Sequence, residues 1–152
     1  MTDNKSGSDA KQVRDVMTPN PKTVTEKDSV QAAAKIMADQ DTGVVPVVDG
    51  LKIIGMVTDR DIVVRLIATG KDLSRATIHD TMTRTVRSVK DDAPVSEVLH
   101  LMSSAQIRRV PVVNQKDELV GIVSIGDLAS ETGQAGKIGK TVEDISEAKP
   151  NN

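Results

Sequence analysis

Two copies of one short pattern hold the side chains best suited to chemistry in this chain. The pattern is Gly-x-Val-(Ser/Thr)-x-x-Asp, at residues 55–61 and again at 121–127. In each copy a hydroxyl ends a predicted strand, and a carboxylate follows three residues later in the first turn of a predicted helix. A helix N-terminus offers unpaired N–H groups that suit phosphate, and a carboxylate there can accept both hydroxyls of a ribose. The residues are Thr58 with Asp61, and Ser124 with Asp127.

The same residues also form an ordinary helix-capping pattern. Thr and Ser are favoured at the N-cap, and an acid three positions later is favourable in the first turn. Capping patterns are common, and duplication of a segment copies its caps as well. The sequence therefore leaves ligand binding and helix capping both open.

Other residue types that support catalysis are scattered. His79 lies in a predicted linker and His100 lies beside the apolar stripe of a predicted helix, so we assign each a solvated or packing role. Residues 133–141 look briefly like a phosphate-binding loop, but that loop needs a glycine where this chain has Gln134, and it needs a strand leading into it. We expect no catalytic residues, no metal site, no required cofactor and no enzyme activity.

The amino-acid composition limits the kinds of binding partner and the cellular compartment that we expect. The chain has 20 Lys and Arg against 22 Asp and Glu, so its charge gives nucleic acid or an anionic membrane no general attraction. It has no Cys, which fits a reducing cytoplasm. No apolar run approaches the roughly 20 residues that cross a bilayer. We expect a cytoplasmic protein without nucleic-acid or membrane partners. A flat ligand ring would sit between aliphatic side chains, because no aromatic residue is present.

One segment of the chain is repeated. Residues from Val13 align with residues from Ile78 at an offset of 65, and one inserted residue after Asn114 moves the offset to 66. Internal similarity of this length predicts two copies of one structural unit. The strings Asp-Val-Met-Thr at 15–18 and Val-Pro-Val-Val at 45–48 fall on Asp-Thr-Met-Thr at 80–83 and Val-Pro-Val-Val at 110–113.

Apolar spacing predicts the order β-α-β-β-α in each copy. Apolar residues at i, i+3, i+4 and i+7 begin at Val30 and at Val95 and predict one helix each. Asp28 or Ser29 is expected to cap the first, and Asp92 with Pro94 to start the second. The predicted strands are 22–25, 44–48 and 53–58, then 87–90, 110–113 and 119–124, with a hairpin from the last two of each copy.

Two further features follow from the same patterns. Pro46 and Pro111 lack an N–H donor, so their strands are expected at a sheet edge or only partly paired. A second helix is expected to open near Asp59, with Ile62, Val63, Leu66 and Ile67 on one face, and to stop at Gly70. Its counterpart is expected to open near Ile125. The predicted division is a flexible tail 1–11, a repeat 12–70, a repeat 71–130 and a polar tail 131–152.

The repeated strings resemble the CBS domain, which is named for cystathionine β-synthase. The Met-Thr string, the Val-Pro-Val-Val string and the Gly-x-Val-(Ser/Thr)-x-x-Asp string each occur twice, and the resemblance covers about residues 13–130. It implies an α+β fold in which two repeats pack into one pseudo-symmetric Bateman module. Residues 57–65 further resemble small stand-alone bacterial and archaeal CBS-pair proteins, which are often linked to stress or signalling.

The resemblance also implies two composite clefts that take AMP, ADP, ATP, S-adenosylmethionine or a dinucleotide such as NAD. Carried over residue by residue, one cleft uses Thr18, Lys22, Thr42, Gly43 and Val44 with Ser124 and Asp127. The other uses Thr83, Arg87, Ile107, Arg108 and Arg109 with Thr58 and Asp61. Arg108 and Arg109 match positions where the family often has phosphate-contacting basic residues, whereas the first copy has Gly43 and Val44 there.

These observations predict a regulatory module that binds an adenine nucleotide and acts on an effector protein that the sequence does not name. The alternative is a ligand-independent dimeric interaction scaffold or stress-related protein. A homodimer is expected in either case, because the apolar run 62–67 has more faces than one internal contact needs.

Overall fold

The computed structural model describes residues 11–132, so the predicted tails, apart from residue 11 and residues 131–132, and the loop-like string 133–141 lie outside it. The chain splits into two compact units. Residues 21–86 and 117–119 form one, called here the hairpin unit; residues 11–20, 87–116 and 120–132 form the other, called the four-strand unit. Each unit thus contains the Met-Thr string from the start of the other sequence copy. The repeat boundaries 12–70 and 71–130 stay a prediction.

Strands and helices follow the predicted order β-α-β-β-α in each copy, except that the first strand is Thr18–Pro19 rather than 22–25, and the mixed α+β class is confirmed. The strands are β1 Thr18–Pro19, β2 Val44–Asp49, β3 Lys52–Thr58, β4 Val89–Lys90, β5 Arg109–Val113 and β6 Leu119–Ser124. The helices are α1 Val30–Gln40, α2 Asp59–Ile62, α3 Val95–Ala105 and α4 Ile125–Thr132. No helix within residues 11–132 has the length and apolar content to span a membrane.

The hairpin unit is built on the antiparallel pair β2 and β3. The pair runs from Val44 opposite Thr58 to Asp49 opposite Lys52, and Gly50 turns it with a φ of 64°, a conformation that costs glycine little. The predicted strand 22–25 is reduced to one bridge between Val24 and Val47. Pro46 has no N–H to donate on that side, as predicted, and its carbonyl accepts from the Val24 N–H at 3.1 Å.

The four-strand unit has the strand order β1-β6-β5-β4. Strand β1 is antiparallel to β6, and β4 is parallel to β5. Pro111 therefore lies on an inner strand, so the expectation of an edge strand is wrong here. The expectation of partial pairing is right, because β4 pairs only with Val112 and Val113 and leaves no ladder bond for Pro111 to break.

The helix starts select one of the two caps predicted for α1 and correct the role predicted for Asp92. Ser29 caps α1, since its Oγ accepts from the Ala32 N–H at 3.1 Å, whereas Asp28 accepts from the Thr25 N–H. Pro94 is the N-cap of α3 and makes no side-chain cap bond. Asp92 instead accepts from the amide of Gln115 at 3.0 Å, so it supports the β5–β6 turn rather than the helix.

The helix after β3 buries only part of its apolar face. Residues Val63–Ile67 continue α2 with π-helical winding, in which bonds span five residues, as from the Ala68 N–H to the Val63 carbonyl at 2.8 Å. This wider winding directs Leu66 into the core, while Val63 and Ile67 stay 51% and 53% exposed. Of the face predicted for this helix, Leu66 is buried and Val63 and Ile67 are not, which agrees with the expectation that the apolar run has more faces than one internal contact needs.

Aliphatic side chains alone fill the cores, as the absence of aromatic residues requires. In the four-strand unit the core lies between α3, α4 and the sheet and includes Val98, Met102, Val112 and Leu128. In the hairpin unit Ala33, Val45, Val57 and Ile78 form one cluster, and Val30, Leu66 and Ala76 form another.

A charged cluster ties residue 26 to the segment 77–86 of the hairpin unit. The Glu26 carboxylate lies 2.9 Å from Nδ1 of His79 and also pairs with Arg84. Hydrogen bonding from His79, and next from Arg84, lowers the pKa of Glu26 below its ordinary value. His79 is therefore exposed but partnered, and His100 is exposed on α3.

Thr81 is a buried polar side chain in the hairpin unit, and its hydroxyl has no hydrogen-bond partner. It follows the short helical turn Ile78–Asp80, as Val16 follows the turn Val13–Asp15 in the other unit. Val16 is also buried. The same place in the fold therefore accepts an apolar side chain of the same shape.

We predict that Thr81→Val raises the free energy of unfolding by about 1 kcal/mol, because it removes a desolvated hydroxyl without changing side-chain volume. Urea denaturation measures the change. The reverse substitution, Val16→Thr, is the matched control and should lower stability by a similar amount. A loss of stability in Thr81→Val would mean that the hydroxyl has a partner, such as a bound water.

Candidate functional site

Thr83 reaches the end of the β2–β3 hairpin because a glycine lets it approach. The backbones of Thr83 and Met56 exchange two hydrogen bonds, of 2.8 and 2.9 Å. A Cβ added to the neighbouring Gly55 would overlap the Met82 side chain and lie 2.7 Å from the Thr83 carbonyl. Residue 55 must therefore be glycine for the Met-Thr string to lie against β3.

The four-strand unit repeats this arrangement with the other copy of each string. Thr18 on β1 is opposite Ile122 on β6. A Cβ on Gly121 would overlap the side chain of Met17 and lie 3.0 Å from the Thr18 carbonyl. In both units a threonine from one sequence copy is thereby aligned with the strand that carries the glycine string of the other copy.

The capping interpretation is correct in both repeats. In the hairpin unit the Thr58 Oγ1 accepts from the Asp61 N–H at 3.0 Å, and Asp61 Oδ2 accepts from the Thr58 N–H at 3.0 Å. In the other unit the Ser124 Oγ accepts from the Asp127 N–H at 3.1 Å, and Asp127 Oδ2 accepts from the Ser124 N–H at 2.9 Å. These reciprocal bonds form a capping box, in which Oδ2 of each carboxylate is the acceptor.

The other oxygen of Asp61 makes only long contacts within the hairpin unit. The Thr83 hydroxyl lies 3.3 Å from Oδ1 and 3.4 Å from Oδ2, and Nε of Arg65 lies 3.7 Å from Oδ1. Ordinary O–H···O bonds measure about 2.5 to 3.0 Å. The Asp61 side chain is 14% exposed. Its Oδ1 is therefore fixed in direction by the cap and able to accept a shorter bond.

Arg65 and Asp59 were missed by the sequence reasoning. Arg65 donates to the Met82 carbonyl at 3.1 Å and faces Asp61, so it links the carboxylate to the Met-Thr string. Asp61 and Arg65 are four residues apart on a predicted helix, a spacing from which their contact could have been predicted. Asp59 donates its N–H to the Gly43 carbonyl at 2.9 Å, a contact that the sequence carries no local signal for.

The remaining predicted site residues lie near these groups within their own units. In the hairpin unit β2 starts at Val44, which is opposite Thr58, and the Thr42 hydroxyl lies 3.4 Å from the Val44 backbone. In the four-strand unit Arg108 precedes β5, and its carbonyl accepts from the Ile125 N–H. Lys22, Arg87 and Arg108 are exposed, whereas Ile107 and Arg109 are partly buried.

Each predicted cleft draws residues from both units. The hairpin unit contains Lys22, Thr42, Gly43, Val44, Thr58, Asp61 and Thr83, and the four-strand unit contains Thr18, Arg87, Ile107, Arg108, Arg109, Ser124 and Asp127. Thr83 and Asp61, which the resemblance assigns to one cleft, contact each other. The joining of the two sets into clefts stays a prediction. Residues 11–132 contain no group of three or more His, Asp or Glu that could hold a metal ion.

The repeated unit of two strands, a capped helix and a packed Met-Thr string defines a protein built from two copies of one structural module. Comparison with known families identifies the module: the CBS domain matches residues 13–68 and 77–132. The chain belongs to the CBS-domain family, and its two domains form a CBS pair, or Bateman module.

Similar sequences and structures come from a relative of about the same length and from solved CBS-domain structures. The uncharacterised protein YlbB of Bacillus subtilis is 45% identical over 137 residues, which cover 89% of this chain and 91% of YlbB. The crystal structure of CBSX2 in complex with AMP matches with a TM-score of 0.71 at 26% identity and covers 82% of this chain and 98% of that one. The CBS pair of protein MJ0100, in complex with 5′-methylthioadenosine and S-adenosylmethionine, matches with a TM-score of 0.71 at 33% identity and covers 83% and 98%.

Proposed function

We propose that this chain is a regulatory module that binds an adenine-containing nucleotide and has no catalytic activity of its own. Two proteins with the same fold support the proposal, since one holds AMP and the other holds 5′-methylthioadenosine and S-adenosylmethionine. What these ligands share is adenine on a ribose ring, so we take this adenosyl group as the part that the module recognises. AMP, ADP, ATP, NAD and S-adenosylmethionine are the candidate ligands.

The observation that carries the proposal is how the two oxygens of the Asp61 carboxylate are bonded. One oxygen is held by the Thr58 N–H in the capping box, and the other has only long contacts to Thr83 and Arg65. A carboxylate fixed in this way has lost the freedom that ligand binding would otherwise cost. It accepts ribose hydroxyls at Oδ1 without releasing the cap.

The capping role does not compete with this ligand role. The cap contributes about 0.5 to 2 kcal/mol to the free energy of unfolding. A hydrogen bond from a ligand to the charged carboxylate would contribute about 1.5 to 3 kcal/mol to the free energy of binding. Asp127 has the same capping geometry in the four-strand unit. We assign it the same role and keep the other residues of the two predicted clefts as the proposed ligand contacts.

We predict that Asp61→Ala and Asp127→Ala each weaken binding of the nucleotide about 10-fold to 150-fold, because each removes a charged acceptor, while the fold is retained. A thermal-shift screen of the candidate nucleotides identifies the ligand, and titration calorimetry measures the affinities. Circular dichroism checks the fold of each variant.

The matched control is Ser29→Ala, which removes the N-cap of α1 at a position outside the proposed ligand set. It should lower stability by about 1 kcal/mol and leave affinity unchanged. If both Asp variants instead keep the wild-type affinity, the two carboxylates serve only as caps and the ribose role is wrong.

The arginines of the second repeat are proposed to bind phosphate. Arg87, Arg108 and Arg109 belong to the same predicted cleft, whereas the other cleft has Lys22 with Gly43 and Val44. A guanidinium presents a fork of donors that can hold a phosphate through two bonds. The cleft with the arginines should therefore gain more affinity from each added phosphate.

We predict that replacing Arg108 and Arg109 together by Ala lowers affinity for ADP about 10-fold or more and leaves affinity for adenosine within about twofold. Calorimetry with the two ligands separates phosphate recognition from adenosine recognition. Arg75→Ala, which removes an exposed arginine paired with Asp72, should change neither affinity. Equal losses for adenosine and ADP, or no loss for either, would remove Arg108 and Arg109 from the phosphate site.

A dimeric interaction scaffold is the second candidate function, and one surface favours it. Val63, Val64 and Ile67 are about half exposed next to the buried Leu66. The π-helical winding holds these three apolar side chains on the outside of the hairpin unit. We propose that they form a homodimer contact, because a cluster of exposed aliphatic side chains is favourable only when it is covered.

We predict that the wild-type chain is a homodimer and that Val63→Glu with Ile67→Glu makes it a monomer, because two buried charges oppose association. Light scattering at about micromolar concentration measures the mass. Leu51→Glu is the control, since Leu51 is also exposed but lies at the hairpin turn. A wild-type monomer mass across this range would reject the dimer.

A further inference from the structure

An equivalent backbone hydrogen bond occurs within each of the two units, but the residues that form it have different side chains. In the hairpin unit the Asp59 N–H donates to the Gly43 carbonyl at 2.9 Å, and in the four-strand unit the Ile125 N–H donates to the Arg108 carbonyl at 3.0 Å. The repeat alignment matches the same two pairs. At equivalent points one unit therefore has an acid and a glycine, and the other has an isoleucine and an arginine.

The Asp59 carboxylate lies where a side chain at residue 43 would begin. A Cβ added to Gly43 would be 2.9 Å from Asp59 Oδ2 and 3.1 Å from Oδ1. Asp59 Oδ1 also accepts from the Arg60 N–H at 2.8 Å, which holds the carboxylate in this orientation. The first repeat thus presents a negative charge at the point where the second repeat starts the side chain of Arg108.

No cation of the described residues neutralises Asp59 through an ion pair. Arg65, on the same helical segment, faces Asp61 at 3.7 Å, and the contact of Arg60 with Asp59 is through the backbone N–H. Asp59 is exposed. Its charge therefore acts on any group that approaches Gly43, with a strength that salt reduces.

We propose that Asp59 selects the charge of the ligand: the adenosine compound whose 5′ group lies against Gly43 has an uncharged or cationic 5′ group, such as a thioether or a sulfonium, and not a phosphate. The inference rests on the proposed function and assigns the ligand class of one site. A carboxylate repels phosphate and attracts a sulfonium. The equivalent pair of the second repeat, Ile125 and Arg108, carries a positive charge and therefore favours a phosphate.

The test uses three ligands that differ only around the 5′ position: AMP, which is anionic, 5′-methylthioadenosine, which is neutral, and S-adenosylmethionine, which has a sulfonium. The full chain is titrated with each, and the amide signals of Gly43 and Arg60 in the ¹⁵N NMR spectrum report binding next to Asp59. Asp59→Asn removes the charge and keeps an oxygen for the Arg60 N–H. Asp49→Asn, at the opposite end of the hairpin, is the matched control.

We expect Asp59→Asn to raise AMP affinity and to lower S-adenosylmethionine affinity, each about twofold to fivefold, with 5′-methylthioadenosine unchanged. The affinity difference between wild type and Asp59→Asn should become smaller at high salt. Asp49→Asn should bind all three ligands as the wild type does. If 5′-methylthioadenosine binds and the AMP to S-adenosylmethionine ratio is the same in wild type and Asp59→Asn, the inference is wrong and the proposed function stands. If none of the three ligands binds the wild-type chain, the inference is wrong, and the proposed function is rejected only when ADP, ATP and NAD also fail in the thermal-shift screen.

Discussion

The close approach of a Met-Thr string to a strand glycine is the constraint on which both units depend. At Gly55 and at Gly121 any Cβ would overlap a methionine side chain, so the string can lie against the strand only where glycine removes that atom. In the hairpin unit this approach brings Thr83 to Asp61, and it buries Met82 among Val45, Val57 and Ile78. One missing methyl group thus sets both the packing of the core and the position of a candidate ligand contact.

The capping box and the candidate ligand site use the same carboxylate without conflict, because a carboxylate has two oxygens. The cap bonds of Thr58 and Asp61 fix Oδ2 and the direction of the side chain. Oδ1 is then oriented by local structure before a ligand arrives, and Arg65 ties it to the backbone of Met82. Pre-orientation of this kind lowers the entropic cost of binding.

Duplication has preserved the backbone of the two units more closely than their charges. The glycine approach, the capping box and the bond between residue 43 or 108 and the next helix recur in both units. The side chains at that last bond differ in sign, with Asp59 in one unit and Arg108 in the other. Backbone geometry is fixed by the fold, whereas exposed charges cost little stability to change, so the charges of the two copies can differ while the backbone is kept.

The sequence by itself determined the repeat, the α+β class and both hairpins, because these follow from patterns among residues close in the chain, and it offered the capping boxes as one of two alternatives. It did not determine the π-helical winding that exposes Val63 and Ile67, nor the inner position of β5. The contacts of Thr83 with Asp61 and of Asp59 with Gly43 were likewise decided by tertiary structure. They join residues from different elements, so they depend on how closely those elements pack, and periodicity along one element does not contain that distance.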